Sequence, residues 1–222
     1  MNKEEVLNYL SKNIKFNSSE IEKLDVFQKE LLKFNDSYNL IGSSTLNDIW
    51  TRHILDSAQI IKFIDFNKNN SLSDLGTGGG FPGLILAVYA QKYDFHVKLY
   101  EKSKVKCTFL DQILRVLKLK RVNAICSNIN NEQIDTNYVT CRAFRKLDYI
   151  LNISRENVKV NHKLIILKGK NALDEINMLQ MKEQYRYEVK DSITDKESKI
   201  LIFDMKKIMK NYCSYKSKGW SG

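Results

Sequence analysis

The chain has 222 residues, 43% of them hydrophobic, which suits one globular domain with an appendage or two small domains. No apolar run nears the roughly 18 residues of a membrane span, and the charged start M-N-K-E-E-V lacks the apolar stretch of a secretory signal, so we expect a cytoplasmic protein off the membrane. Thirty-six basic residues against 26 acidic ones leave a net charge of +10, which favours a polyanionic partner.

The first third reads as helix. Ser19 with Glu22 spells a capping box, and Ile21, Leu24, Phe27, Leu31 and Phe34 recur at helical spacing. Thr45 with Asp48 spells a second box before a helix carrying Ile49, Trp50, Ile54, Ala58 and Ile61, core positions rather than base-stacking ones. In that helix Arg52 and Asp56 stand four apart, and His53 is expected to hydrogen-bond towards the core sheet rather than to catalyse. The polar stretch F-N-K-N-N-S over 66–71 marks a boundary. We expect a helical region over 1–66, a main domain over 67–205 and a basic tail over 206–222.

Beyond the boundary, short apolar runs alternate with helical segments. Strands are expected at Ser71–Leu75, Phe95–Tyr100, Val122–Cys126, Tyr138–Cys141, Lys163–Leu167 and Ile200–Phe203. Helices are expected at Pro82–Gln91, at Ser103–Leu117 with Cys107, Leu110, Ile113, Leu114 and Leu117 inward, and at Ala172–Met181. The alternation implies an α/β fold with a mostly parallel, doubly wound sheet and an N-terminal helical extension. Cys107, Cys126, Cys141 and Cys213 show no C-x-x-C spacing and read as reduced thiols, mostly small core hydrophobes. No metal is expected.

The run D-L-G-T-G-G-G-F-P-G, Asp74 to Gly83, follows the first of these strands and precedes a helix. Glycines there allow positive φ and let a ligand approach bare backbone. Glu101, 21 residues after Gly80, stands where a carboxylate accepts hydrogen bonds from a ribose diol. Gly78, Gly80 and Gly83 spell G-x-G-x-x-G, so NAD fits the spacing, although Pro82 suits a dinucleotide loop poorly. Asp74, two residues before Gly76, makes D-x-G-x-G, which resembles the first motif of class I methyltransferases. There the cofactor is S-adenosyl-L-methionine and the acid helps orient its methionine end. Phe81 either packs on the cofactor or target base, or fills space beneath the loop. Pro82 is the only proline, which rules out an N-P-P-Y loop and a Pro-Cys nucleophile. Acceptors that need neither device remain: a guanine ring nitrogen, a hydroxyl or a small molecule.

Five blocks then resemble the RsmG (GidB) family over about residues 20–205: Y-N-L-I-G at Tyr38–Gly42, R-H-I-L-D-S at Arg52–Ser57, the glycine loop, C-R-A-F at Cys141–Phe144, and Lys168–Gly169 after L-I-I-L. Members of that family are bacterial enzymes that methylate N7 of guanine 527 in 16S ribosomal RNA. The resemblance implies a class I methyltransferase fold. It places Gly76, Phe81, Ile129 and Asn130 at the cofactor, with Asn130 standing where an acid is common. It marks Arg142 as linked to cofactor and activity, and Asn39 and Lys168 as linked to activity or RNA binding. Ser198 and Lys199 replace a frequent arginine, and Asn137 a frequent aspartate. The implied partner is 16S ribosomal RNA or the small-subunit particle, met by a monomer.

Guanine N7 carries a lone pair and no proton, so its methylation needs no general base. We therefore expect Arg142 and Lys168 to hold phosphates, the cofactor carboxylate or guanine O6. Seven basic residues between Lys102 and Arg121, interrupted by Asp111, and the group Arg142, Arg145 and Lys146 are the expected phosphate contacts. A small-molecule methyltransferase, an NAD enzyme and a non-catalytic ribosome-assembly protein are the other readings.

Overall fold

Asn2 and Asn17 each start a helix in the computed structural model, which describes residues 1–67, 69–179 and 185–206. Asn2 accepts from the Glu5 amide ahead of α1 (Lys3–Tyr9), and Asn17 accepts from the Glu20 amide at 2.9 Å ahead of α2 (Ser18–Asn35). The expected box at Ser19 and Glu22 therefore lies two residues earlier. Both registers satisfy the pattern locally, and a tertiary contact separates them: Glu20 is buried and also accepts from Lys92 at 3.2 Å. The second expected box is absent. Gly42 precedes a 3₁₀ segment (Ser43–Asp48), and the Thr45 hydroxyl donates to the Gly42 carbonyl. The helix that follows is irregular, with wide π turns over Trp50–Leu55, a single α turn α3 (Asp56–Ala58) and a 3₁₀ turn over Gln59–Phe63. Its expected core residues Ile49, Trp50, Ile54, Ala58 and Ile61 are all buried.

The sheet has seven strands: β1 (Ser71–Leu75), β2 (His96–Glu101), β3 (Val122–Cys126), β4 (Tyr138–Arg142), β5 (His162–Lys168), β6 (Arg186–Asp191) and β7 (Lys199–Met205), in the order β3-β2-β1-β4-β5-β7-β6. All pairs from β3 to β5 are parallel, and β7 runs antiparallel between β5 and β6. This is the expected α/β, doubly wound class. One face carries the N-terminal helices with α4 (Gly83–Ala90) and α5 (Lys104–Val116), and the other carries α6 (Leu147–Asn157) and α7 (Ala172–Asn177). The helical region and the sheet share one core: Phe27 meets Phe81 and Phe109 at ring distances of 5.3 and 6.4 Å.

Two elements went unread in the sequence. β6, R-Y-E-V-K-D, is a mostly exposed edge strand without an apolar face to announce it. α6 buries Leu147, Ile150, Leu151 and Ile153. The expected helix end at Met181, the tail from 207 onward and Cys213 lie outside the described residues.

Two of the cysteines expected as reduced thiols are bonded to each other. Cys107 and Cys126 form a disulfide, and only Cys141, buried in β4, is free among the described cysteines. The sheet register explains the pairing. Cys126 lies beside Glu101 across the β2–β3 ladder, and α5 turns back so that the Cys107 sulfur sits 3.4 Å from the Glu101 carbonyl.

Candidate active site at the carboxyl ends of the strands

Chain connections leave β1 towards β2 on one side and reach β4 on the other, so the crevice beyond their carboxyl ends is the sheet's switch point, where α/β folds bind ligands. The glycine loop fills its floor. Gly76, Gly78 and Gly80 have φ of 66°, 59° and 98°, values that L side chains rarely adopt. Asp74 ties the loop shut from within, accepting from the Gly83 amide at 2.8 Å and from the Thr140 hydroxyl at 3.0 Å. Full burial pushes its pKa up to about 6 against these bonds. A Cβ on Gly83 would lie 2.6 Å from the Asp74 carboxylate, so glycine is required there.

Two clefts open above the loop and share Ala143. The first, about 280 Å³, is lined by Gly76, Gly78, Glu101, Ile129 and Asn130, which brings together five of the residues expected at the cofactor. Glu101 accepts from the amides of Gly78 at 3.0 Å, Lys102 at 2.9 Å and Ser103 at 2.8 Å. A carboxylate has about four acceptor positions, so one remains for a hydroxyl. The Asn130 side chain accepts from the Tyr149 hydroxyl at 2.7 Å. Phe144 lies directly on Gly76, where any Cβ would fall inside its ring, and packs edge-on against Tyr149 at 6.3 Å. This aromatic wall was missed in the sequence, although C-R-A-F contains Phe144.

The second cleft, about 290 Å³, is lined by Arg52, His53, Asp56, Arg142 and Lys168, with the β6–β7 loop closing it. Arg142 donates to the Arg52 carbonyl at 2.8 Å, to Asp56 at 3.2 Å and to Nδ1 of His53. Because Nδ1 accepts, Nε2 carries the proton and donates to the Thr45 hydroxyl at 2.8 Å. Burial first, then Arg142 and Arg52, lowers the His53 pKa to about 3, so this imidazole is neutral and its lone pair is taken. Asp56 thus pairs with Arg142 rather than with Arg52, its neighbour four residues away. Phe81 is buried under the Arg142 guanidinium at 5.0 Å and against His53 at 4.9 Å; it borders neither cleft. Asp74 borders neither as well.

Sequence comparison shows the family of the chain that carries these two clefts. The family model for rRNA small subunit methyltransferase G (GidB) matches residues 20–203. A ribosomal RNA small subunit methyltransferase G of Rickettsia felis is 40% identical over 181 residues, 82% of this chain and 91% of the relative, and one of Rickettsia typhi is 39% identical. The chain belongs to the rRNA small subunit methyltransferase G family. Solved structures agree on the fold alone. A SAM-dependent methyltransferase from Aquifex aeolicus superposes with a TM-score of 0.54 at 14% identity, covering 80% of this chain and 97% of that one. A SAM-dependent O-methyltransferase from Thermotoga maritima gives 0.53 at 15%, covering 69% and 66%.

The family's blocks converge in space. R-H-I-L-D-S carries the His53 and Asp56 partners of Arg142 from C-R-A-F. The Y-N-L-I-G loop is pinned by Asn35, which accepts from the Leu40 and Ile41 amides, and both residues pack against Gly79. Asn39 itself is exposed on that loop, outside both clefts. Lys168 donates to both Glu175 oxygens at 2.8 and 2.7 Å and to the Arg145 carbonyl at 2.8 Å, so its three protons are committed to tying β5 to α7 and to the loop after β4. Glu175 had no signal in the sequence. Ser198 and Lys199 both line the second cleft, whereas Asn137 caps the opposite end of the sheet, accepting from the Ser71 amide at 3.1 Å. The seven basic residues from Lys102 to Arg121 do not form one patch. Lys102 and Lys106 border the first cleft, while Arg115, Lys118 and Lys120 are exposed near the other end of α5, a helix of 13 residues and so about 20 Å long.

Proposed function

We propose that this chain transfers the methyl group of S-adenosyl-L-methionine to N7 of guanine 527 in bacterial 16S ribosomal RNA, acting as a cytoplasmic monomer on the RNA or on the small-subunit particle. The observation that carries this reading is the pair of clefts meeting at Ala143. One has the glycine loop and a carboxylate with spare acceptor capacity. The other is lined mostly by polar side chains, and its one histidine is neutral with its lone pair occupied, so His53 is no general base.

The chemistry needs what these residues supply. Glu101 receives a ribose hydroxyl, and the Phe144–Tyr149 wall with Ile129 gives an apolar seat for a purine ring. The cofactor brings a sulfonium methyl that is open to in-line attack. Its methyl would pass to the N7 lone pair as the C–S bond breaks, which would move the positive charge to the guanine and ask no proton transfer of the residues around it. Rate enhancement therefore comes from alignment and from exclusion of water. Arg142, fixed by Asp56 and His53, keeps its remaining N–H donors for an anionic group between the clefts.

The deciding experiment is mass spectrometry of small-subunit RNA from cells with and without this gene. N7-methylguanosine at that nucleotide is expected to vanish with the gene, and an unchanged level would remove the proposal.

A further inference from the structure

The β6–β7 loop contributes to the second cleft a carboxylate that Arg142 does not engage. Asp195 is half-buried and faces the same cleft as the exposed Arg52. Its Oδ1 accepts from the Glu197 amide at 2.9 Å, and its carbonyl accepts from the Ser198 amide at 3.1 Å, so a closed turn fixes the side chain. The turn is anchored to the family block: Thr194 donates to Asp56 at 2.8 Å, and the Ile193 amide to Gln59 at 2.9 Å. The Glu197 amide foremost, with the Arg52 charge acting in the same direction, holds Asp195 below the ordinary carboxylate range, so it is ionised at neutral pH.

We propose that Asp195 and Arg52 select guanine as the methyl acceptor, Asp195 accepting from N1–H and the 2-amino group while Arg52 donates to O6. This rests on the function proposed above. Guanine presents an acceptor (O6) beside two donors (N1–H and N2–H₂), and a guanidinium beside a carboxylate is the complement of that row. Adenine presents a donor at N6 and a bare lone pair at N1, which would face the cation and the anion with the wrong sign. N7 lies on the other side of O6 from N1. A base that turns N7 towards Ala143 and the first cleft therefore turns its N1–N2 edge away from that junction, into the second cleft, whose lining includes Asp195. The Arg52–Asp195 pair is neutral as a whole, and the carboxylate gains attraction as the base becomes cationic.

The test compares 16S ribosomal RNA carrying guanosine or inosine at the accepting nucleotide; inosine lacks only the 2-amino group. Wild-type protein should lose roughly 10-fold in kcat/KM on inosine, the worth of one hydrogen bond to a charged group. Asp195→Asn keeps an oxygen for the Glu197 amide. It should lose on the order of 100-fold on guanosine while its penalty for inosine shrinks to within about 3-fold. Affinity for S-adenosylhomocysteine, bound in the first cleft, should stay unchanged and reports on folding. Active wild-type protein with a D195N variant that still discriminates, or that keeps the wild-type rate, overturns the assignment alone. Wild-type protein that binds S-adenosylhomocysteine but methylates no guanosine overturns the function on which it rests.

Discussion

Arg142 on β4 and Asp56 in the N-terminal helical region pair at 3.2 Å, and only about one-sixth of either side chain is exposed. The pair closes the seam between helical layer and sheet at the point where the two clefts meet. Removing the carboxylate leaves a largely buried guanidinium without its anion, so Asp56→Ala should destabilise by about 2–3 kcal/mol, below the full cost of a fully buried pair. Asp56→Asn, which can still bond Gln59 and Thr194, should cost less. Urea unfolding measures both, and a wild-type midpoint for D56A would contradict the assignment.

Two glycines of one loop should respond oppositely to alanine. At Gly83 the new methyl meets the buried Asp74 carboxylate at 2.6 Å, and the loop cannot close around it. We expect a loss of about 2–3 kcal/mol and of S-adenosylhomocysteine binding. At Gly79 the same methyl meets Leu31, Leu40 and Ile41 at 3.4–3.6 Å, ordinary contact, and the variant should fold and bind. Calorimetric titration of both variants decides; equal effects would rule out the packing argument.

His53 makes stability fall in acid. Its pKa drops from 6.5 to about 3 on folding, so between those values the unfolded chain binds a proton that the native state does not. Native stability should therefore fall by about 1.4 kcal/mol per pH unit in that window. Asp74 works the other way: its pKa rises from 3.8 to about 6, so protonation favours the native state as pH falls through that range. The His53 window is wider and should win below about pH 4. In His53→Gln the acid loss should be shallower, and denaturation midpoints from pH 7 to 3.5 would show it. Parallel curves for the two proteins would refute the shift.

The split of basic residues along α5 separates two effects. Arg115→Gln, Lys118→Gln and Lys120→Gln together should leave S-adenosylhomocysteine affinity intact, because none of them borders the first cleft. The same variant should reduce the salt dependence of RNA binding, each lost phosphate contact lowering the slope by nearly one. Lys106→Gln, at the cleft, should weaken both affinities. An unaltered salt slope in the triple variant would confine the RNA contact to the cleft end.

Non-reducing peptide mapping should show Cys107 joined to Cys126 and Cys141 unmodified by alkylating reagent in the folded state, since burial raises its thiol pKa and blocks access. With the paired cysteines 19 positions apart in the chain, reduction should cost about 3 kcal/mol. Free Cys126 without reductant would refute the link.

Local pattern and distance from the chain's own neighbours explain what could be read early. β1 and β3 match their expected limits residue for residue because each is a short segment set off by turns or bends on both sides. β6 could not be read, since an exposed edge strand has no face to pattern. The capping register at Asn17 depended on Lys92, 72 residues away.

At the site the same division holds. The sequence by itself determined the floor: glycines at 76, 78 and 80 and an acid at 74 are required by backbone conformation and by one buried amide, which are local demands. It also marked Arg142 and Lys168. Only the tertiary structure decided what those two do, because hydrogen-bond partners are chosen by proximity in space. Arg142 is held by a histidine and an aspartate some 86–89 positions earlier in the chain, and Lys168 is spent on Glu175. The second cleft is legible only after folding, since its walls come from the helical region, β4, β5 and the β6–β7 loop.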